Sequence, residues 1–270
     1  MNIYIVSEKM EKDISTHIVN RLDLQDIVDV LSDKLSGSEL NSVLLDVFNK
    51  RVRQETPSSL LNKYEANKLV KPAKTDVLRH KEEGLNCYKV LAAKGFEPIE
   101  RSPVAQMGTS SVVATVDQKK VLTALRNTEV LSDPTNSIAL HYASLKKKGE
   151  LGDKTCNYSN ISRVIRTQVF TNPDFTPHFS VLCMVSCGKD TGNFNFEKEE
   201  LFKHLTASYE ILKKHYGLER ICVEIIPCKG YDSQSPLITS SLSYIRERNK
   251  DIEVSVVDPG YENNYYYGFR

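Results

Sequence analysis

The stretch ISRVIRTQVFTNPDFTPHFSVLCMVSCG, residues 161–188, decides how this chain is read. Two apolar runs, about 161–170 and 178–187, flank a short loop carrying Asn172-Pro173 and Thr176-Pro177. Runs of that length bounded by turn residues predict a β-hairpin. In a regular strand Arg163 and Arg166 point to opposite faces, while Arg166 and Gln168 share one. A guanidinium on a sheet floor suits phosphate, because its planar fork gives two parallel charge-assisted hydrogen bonds. Phe170 or Phe179 is placed to lie against an aromatic base, and arginine stacks on such rings too. His178 heads the second run, beside the arginines. One reading makes Arg166, Gln168, His178 and Phe179 a nucleotide-binding set. The other is a hairpin with one wet face, whose polar residues are simply solvated. The residues alone leave both open.

Outward from the hairpin, helices and strands alternate without a repeat. Upstream, SDPTNSIALHYASLKKKG reads as a helix with Asp133 as cap, Pro134 in its first turn and lysines in its last, where they suit the helix dipole. FEPIERSPVAQ is extended, and SSVVATVDQ and KVLTALRNTEVL are short apolar runs, at least one of them expected to be a strand. DVLRHKEEGLNCYKVLAAKG is an amphipathic helix ending at Gly95. Downstream come a long helix (NFEKEELFKHLTASYEILKKHYG), a strand (ERICVEIIP), a helix (SPLITSSLSYIRERN) and two more strands (IEVSVVDP and NNYYYGFR). The first 75 residues have a different texture, helical throughout. Ser36 and Glu39 form a capping box, after which Leu40, Val43, Leu44, Val47 and Phe48 recur on one helix face. Thr56 and Pro57 restart a helix. The expected organisation is a helical segment over 1–75, then an α+β core over 76–270 with a mainly antiparallel sheet flanked by helices.

Composition narrows the function classes. Formal net charge is +1, and residues 1–80 carry 12 basic and 12 acidic side chains. No basic slab exists to hold nucleic acid nonspecifically, so charge gives tRNA binding no support. No apolar run approaches 18 residues, and the start MNIYIVSEKMEKD is too briefly apolar for a signal peptide. The expectation is a cytoplasmic protein without a membrane span. Six cysteines include no Cys-x-x-Cys pair, and the six histidines no His-Glu-x-x-His, so no metal site is expected. Cys183 and Cys187 share a strand face and read as free thiols.

Three further features bear on chemistry. GTSS, residues 108–111, is short for a phosphate cradle and lacks the P-loop lysine. Polar residues around 126–137 gather at a strand-to-helix junction, where ligands often bind. Asp133 and Thr135 belong to it, though Asp133 has a structural use as the helix cap. Glu129 has no such use, which makes it the stronger candidate for holding a substrate. Gly-x-Ser-x-Gly and Gly-x-Gly-x-x-Gly are both missing, which argues against α/β-hydrolase and Rossmann readings.

From about residue 77 the order of these pieces resembles the core of class II aminoacyl-tRNA synthetases, nearest to histidyl-tRNA synthetase and the regulatory subunit of ATP phosphoribosyltransferase. KGFEPIERSPVAQ is similar to motif 1, LSDPTNSIALHYASL to the histidyl branch's Leu-Arg-Pro-Glu-x-Thr segment, the 161–188 hairpin to motif 2, and NNYYYGFR to a Tyr-Tyr-Thr-Gly strand. The resemblance implies ATP as ligand, with magnesium entering alongside it, and a homodimer through residues near 85–106. It implies that Arg166 contacts the α-phosphate and Phe179 supports adenine. Asp133 and Thr135 fall near the family's substrate-touching Glu and Thr.

Departures from the pattern are as informative. The motif 2 Arg-x-Glu is Arg166-Thr167-Gln168, the arginine of Leu-Arg-Pro-Glu is replaced at Ser132, and the histidine-reading residues have become VLCMV. No motif 3 Gly-x-Gly-x-x-Arg precedes Arg270, so either the sequence is a fragment or the fold is cut short. Without that arginine one of two phosphate clamps is missing. The expected function is a non-catalytic or degenerate paralogue acting as a ligand-binding or regulatory protein. The alternative is an ATP-dependent enzyme that activates a carboxylate or amino acid other than histidine as its adenylate, with Glu129 or Asp133 holding the amine. A third reading is an interaction module working through the helical N-terminus.

Overall fold

The computed structural model describes residues 14–168, 175–258, 260 and 267–269. The chain divides into two units, one of residues 1–62 with 125–127, the other of residues 63–124 with 128–270.

The first unit is helical: α1 (14–21), α2 (Ile27–Asp33), α3 (Gly37–Val52) and the start of α4 (Pro57–Ala66). The capping box forms as its sequence dictates. Glu39 N–H donates to Ser36 Oγ at 3.3 Å, and Ser36 N–H donates back to Glu39 Oε2 at 2.8 Å. Val43, Val47 and Phe48 of the α3 stripe stay exposed.

The second unit is α+β. Its main sheet has the order β1-β5-β6, from β1 (Glu97–Pro98), β5 (Cys156–Ile165) and β6 (His178–Cys187). β5 and β6 are antiparallel in one register, from Cys156 opposite Cys187 to Ile165 opposite His178. β5 begins at Cys156, upstream of the apolar run at 161. Cys156–Asn160 is polar enough to look like loop, but its backbone pairs with the second half of β6.

Alternation gives this ladder two faces. Ile161, Arg163, Ser180, Leu182 and Met184 lie on one. α5 (Val77–Ala93) and α7 (Asn195–Glu210) supply that side's core, with Cys87, Leu91, Phe96, Ala207 and Ile211 buried around Ile161 and Met184. Fully burying a side chain such as Leu91 contributes about 2 kcal/mol. The other face carries Tyr158, Val164, Phe179 and Val181. There α6 (Pro134–Lys147) sets His141 against Tyr158, edge to face. Leu131, Ala105 and Val164 form a small core with Phe179 and Val181.

A second sheet, β2-β4-β3, is antiparallel: β2 (Val104–Gln106), β3 (Thr123–Ala124) and β4 (Thr128–Val130). KVLTALRNTEVL supplies β3 and β4, while the start of SSVVATVDQ lies in a π-helical turn, Thr109–Val113. The third sheet pairs β7 (Cys222–Ile225) with β8 (Glu253–Val256) in parallel, because the crossover helix α8 (Pro236–Arg248) returns the chain in the same direction. Ile238 and Ile245, one α8 face, are buried against Ile225, Ile252 and Val254. β1 is also parallel to β5, so the antiparallel pattern is dominant but not universal. Most of NNYYYGFR lies outside the described residues. Tyr267 and Phe269 make single bridges to Lys229 and Pro227. No described helix is long and apolar enough to cross a membrane.

Candidate functional site

The loop end of the β5–β6 hairpin meets the start of α6. Ile165 N–H donates to the Leu131 carbonyl at 3.0 Å, two residues before the α6 cap, and Arg166 N–H donates to the Pro177 carbonyl at 2.8 Å. Beyond that bond the ladder ends. The half-buried Arg166 lays its guanidinium over the Phe179 ring, 5.3 Å from the centroid. Val164, Val181 and Leu131 form the apolar floor beneath. Among the described residues the Arg166 guanidinium has no carboxylate partner, so its hydrogen-bonding fork is uncommitted. Gln168 is exposed beyond the end of β5, where strand alternation no longer fixes its side. Phe170 lies outside the described residues.

His178 is on the other sheet face, one residue from Phe179 and therefore pointing the opposite way. It pairs with Arg163 and with a backbone carbonyl. The Arg163 guanidinium can only donate, so it gives its proton to Nδ1; the Lys71 carbonyl can only accept, so it takes the Nε2 proton at 2.5 Å. Both ring nitrogens are thereby used. The structure brings Arg166 and Phe179 together and does not bring His178 to them.

Glu129 has the structural use that its sequence context hid. It is 1% exposed on β4 and accepts four hydrogen bonds. Oε1 takes the Ser110 N–H at 2.9 Å and the Ser110 hydroxyl at 2.7 Å. Oε2 takes the Gly108 N–H at 2.9 Å and the Gln118 amide at 3.1 Å. GTSS is thus an anion cradle, and the anion is this chain's own carboxylate. Gly108 sits at φ +91, the left-handed conformation glycine tolerates, which turns the backbone so that its N–H and that of Ser110 converge. Burial alone would raise the Glu129 carboxyl. The bonds from Ser110, Gln118 and the two amides outweigh that and hold it below the usual range.

Asp133 and Thr135 bond each other through one carboxylate oxygen, Oδ1. Asp133 caps α6, accepting from Thr135 N–H at 2.9 Å and from the Thr135 hydroxyl.

A further polar cluster, not singled out from sequence, lies where α7 covers the sheet. Ser186 Oγ is 2.8 Å from His204 Nε2 and 2.7 Å from Glu200 Oε2, with Asn157 alongside. It has the members of a hydrolase triad but the wrong polarity. Glu200 can only accept, so the Ser186 proton goes to it, and His204 Nε2 must then donate to Ser186. A histidine donating to the serine is not its base. Burial pushes the His204 imidazole down in pKa, which keeps it neutral. The cluster docks α7 onto β5 and β6. Its residues are spread from 157 to 204, with no local spacing for a motif search to find.

Cys87, Cys156, Cys183, Cys187 and Cys222 are free thiols, and burial pushes the Cys183 thiol up to about 12. No cluster of metal-ligating side chains occurs among the described residues.

No protein-family model matches this chain. No curated protein matches it either. Solved structures do, at low identity. A pyrrolysyl-tRNA synthetase from Desulfitobacterium hafniense is 14% identical over 52% of this chain and 47% of its own, with TM-score 0.40. An ATP phosphoribosyltransferase regulatory subunit/histidyl-tRNA synthetase from Bacillus halodurans is 19% identical over 69% and 51%, with TM-score 0.46. A cytoplasmic serine-tRNA ligase from Naegleria fowleri, in complex with AMP, is 15% identical over 53% and 35%, with TM-score 0.40. This chain spans about half the length of these structures or less. They are class II synthetase folds, the class that the motif order resembles. Nothing about chemistry follows from likeness this distant.

Proposed function

We propose that this chain is a non-catalytic, synthetase-like protein that binds a nucleotide or related phosphate-bearing ligand through Arg166 and Phe179 and acts as a sensor or regulatory protein. One observation carries the reading: the buried carboxylate at the site, Glu129, is spent on the chain's own structure while the arginine is not. Glu129 is saturated by Gly108, Ser110 and Gln118 and offers no oxygen to a substrate amine, while Asp133 spends Oδ1 on the cap of α6. Arg166 keeps its donors over an aromatic floor, which suits a phosphate beside a stacked base.

The test is ATP–magnesium titration by calorimetry, with ATP–pyrophosphate exchange over a panel of amino and carboxylic acids. ATP should bind, and Arg166→Ala should weaken it by roughly tenfold or more, the loss of charge-assisted bonds to phosphate. No acid should support exchange. Exchange abolished by Arg166→Ala would make the chain an enzyme instead. Failure to bind ATP at millimolar concentration would remove the nucleotide.

A further inference from the structure

A second concavity lies along α5, on the sheet face opposite Phe179. Two clefts of about 440 and 360 Å³ share His80, Gly84, Ile161 and Ser180 as lining. His80 Nε2 meets the Ser180 hydroxyl at 2.9 Å across the junction. Gly84 belongs to both walls. A glycine in mid-helix costs about 1 kcal/mol relative to alanine, and a Cβ here would come within 3.3 Å of Ile161 Cδ1. The missing side chain leaves room where the clefts join.

The two ends differ in chemistry. The larger is cationic, with Lys81, Arg101 and Arg163 against Glu100. Arg101 Nε is buried with no hydrogen-bond partner among the described residues, a donor without an acceptor. The Tyr88 oxygen accepts the Ile161 N–H at 2.6 Å, so its own proton is left to give. Burial raises the Tyr88 phenol, which keeps it a donor at neutral pH. The smaller end is apolar, walled by Cys87, Leu182, Ile211, Leu212 and Tyr216. Its one carboxylate, Glu83, is held by Arg79 at 2.9 Å.

We infer that this cleft binds an amphipathic carboxylate, its head on Arg101 and Tyr88 and its apolar chain past Gly84 onto Leu182, Ile211 and Leu212. Arg101 and Tyr88 line the same end, a guanidinium and a free hydroxyl proton that together match a carboxylate, and Glu100 on the same wall disfavours a doubly charged head. The apolar end gives the tail a surface to leave water for. The site is separate from Arg166 and Phe179 and does not depend on nucleotide binding there.

Octanoate is the probe, titrated into the full chain by calorimetry, with octanol, acetate and inorganic phosphate as comparisons. Octanoate should saturate one site. Octanol, lacking the charge, and acetate, lacking the tail, should each bind at least about tenfold more weakly. Arg101→Gln should weaken octanoate by about tenfold or more. Gly84→Leu should abolish binding by filling the junction, with the melting transition retained; should that variant not fold, Arg101→Gln carries the test. Unchanged affinity in Arg101→Gln, tighter binding of phosphate than of octanoate, or no octanoate binding at about 10 mM would overturn the assignment. So would a dimer by light scattering that Gly84→Leu dissociates, since the cleft would then be a subunit contact.

Discussion

Replacing Glu129 with alanine separates a structural carboxylate from a substrate-binding one. Truncation strands the Ser110 N–H, which is buried, and takes a charged acceptor from the Gly108 N–H and the Gln118 amide. An unsatisfied buried donor costs about 1–3 kcal/mol, and a hydrogen bond to a charged group contributes about 1.5–3. Water can reach half-buried Gly108 and Gln118, and the Ser110 hydroxyl can turn to Ser132 at 3.0 Å, so those losses fall at the low end. The sum is about 3–5 kcal/mol, a fall in melting temperature of roughly 10 °C for a unit of this size. Glu129→Gln should be little better, because an amide NH₂ in place of either oxygen would face two donors. The pH dependence has a definite sign. The folded carboxyl lies below its ordinary value of 4.5, so its stabilisation is fully present above that value and is lost as pH falls through the folded pKa. The gap between wild type and Glu129→Ala should therefore be widest at neutral pH and narrow below about pH 4. Thermal melts by circular dichroism at both pH values measure it. A variant that melts within about 2 °C of wild type at pH 7, yet loses ligand affinity, would refute the structural assignment.

Ile238→Ala removes a fully buried side chain from between β7, β8 and α8, and should cost about 2–5 kcal/mol by urea denaturation. Ser186→Ala leaves the His204 Nε2 proton and the Glu200 carboxylate short of a partner, and should cost about 1–3 kcal/mol in the same assay. Because His204 donates to Ser186 rather than accepting from it, the purified chain should also show no serine-hydrolase labelling by a fluorophosphonate. Labelling lost in Ser186→Ala would reverse that polarity.

The helices were the most legible part of this sequence, because their termini are signalled locally. Ser36 with Glu39, Thr56 with Pro57, and Asp133 with Pro134 each place a cap or first turn within four residues, and each begins a helix. The hairpin was legible for a related reason, since alternation along β5 separates Arg163 from Arg166 without any knowledge of the partner strand. Adjacency misled where alternation should have ruled: His178 precedes Phe179 and so faces away from it. Cys156–Asn160 hid because a strand covered by helices on both faces need not look apolar when its polar groups find partners, as Asn160 does at the Ile99 carbonyl, 2.7 Å away. Glu129 hid because its donors lie 11 to 21 residues upstream, beyond any local spacing rule.

The β5–β6 ladder carries both proposed sites on alternate residues, and that arrangement decides whether they can communicate. Val164 and Phe179 floor one, and Ile161 and Ser180, a few positions along the same strands, floor the other. A one-residue slip would exchange the faces, placing Phe179 among the side chains around Arg163 and sending Ser180 into the apolar layer with Leu131. Ten paired positions and a buried layer on each side oppose it, so the ladder has one arrangement. Coupling between ligands needs an element with two arrangements that each ligand biases. The ladder supplies none, so the binding free energies of ATP and octanoate should add. ATP affinity measured with and without saturating octanoate should then agree within about threefold, a coupling under roughly 0.7 kcal/mol. A larger change, matched reciprocally in octanoate affinity when ATP is saturating, would show that the strands move as a switch, and the regulatory reading would gain its mechanism from the ladder itself.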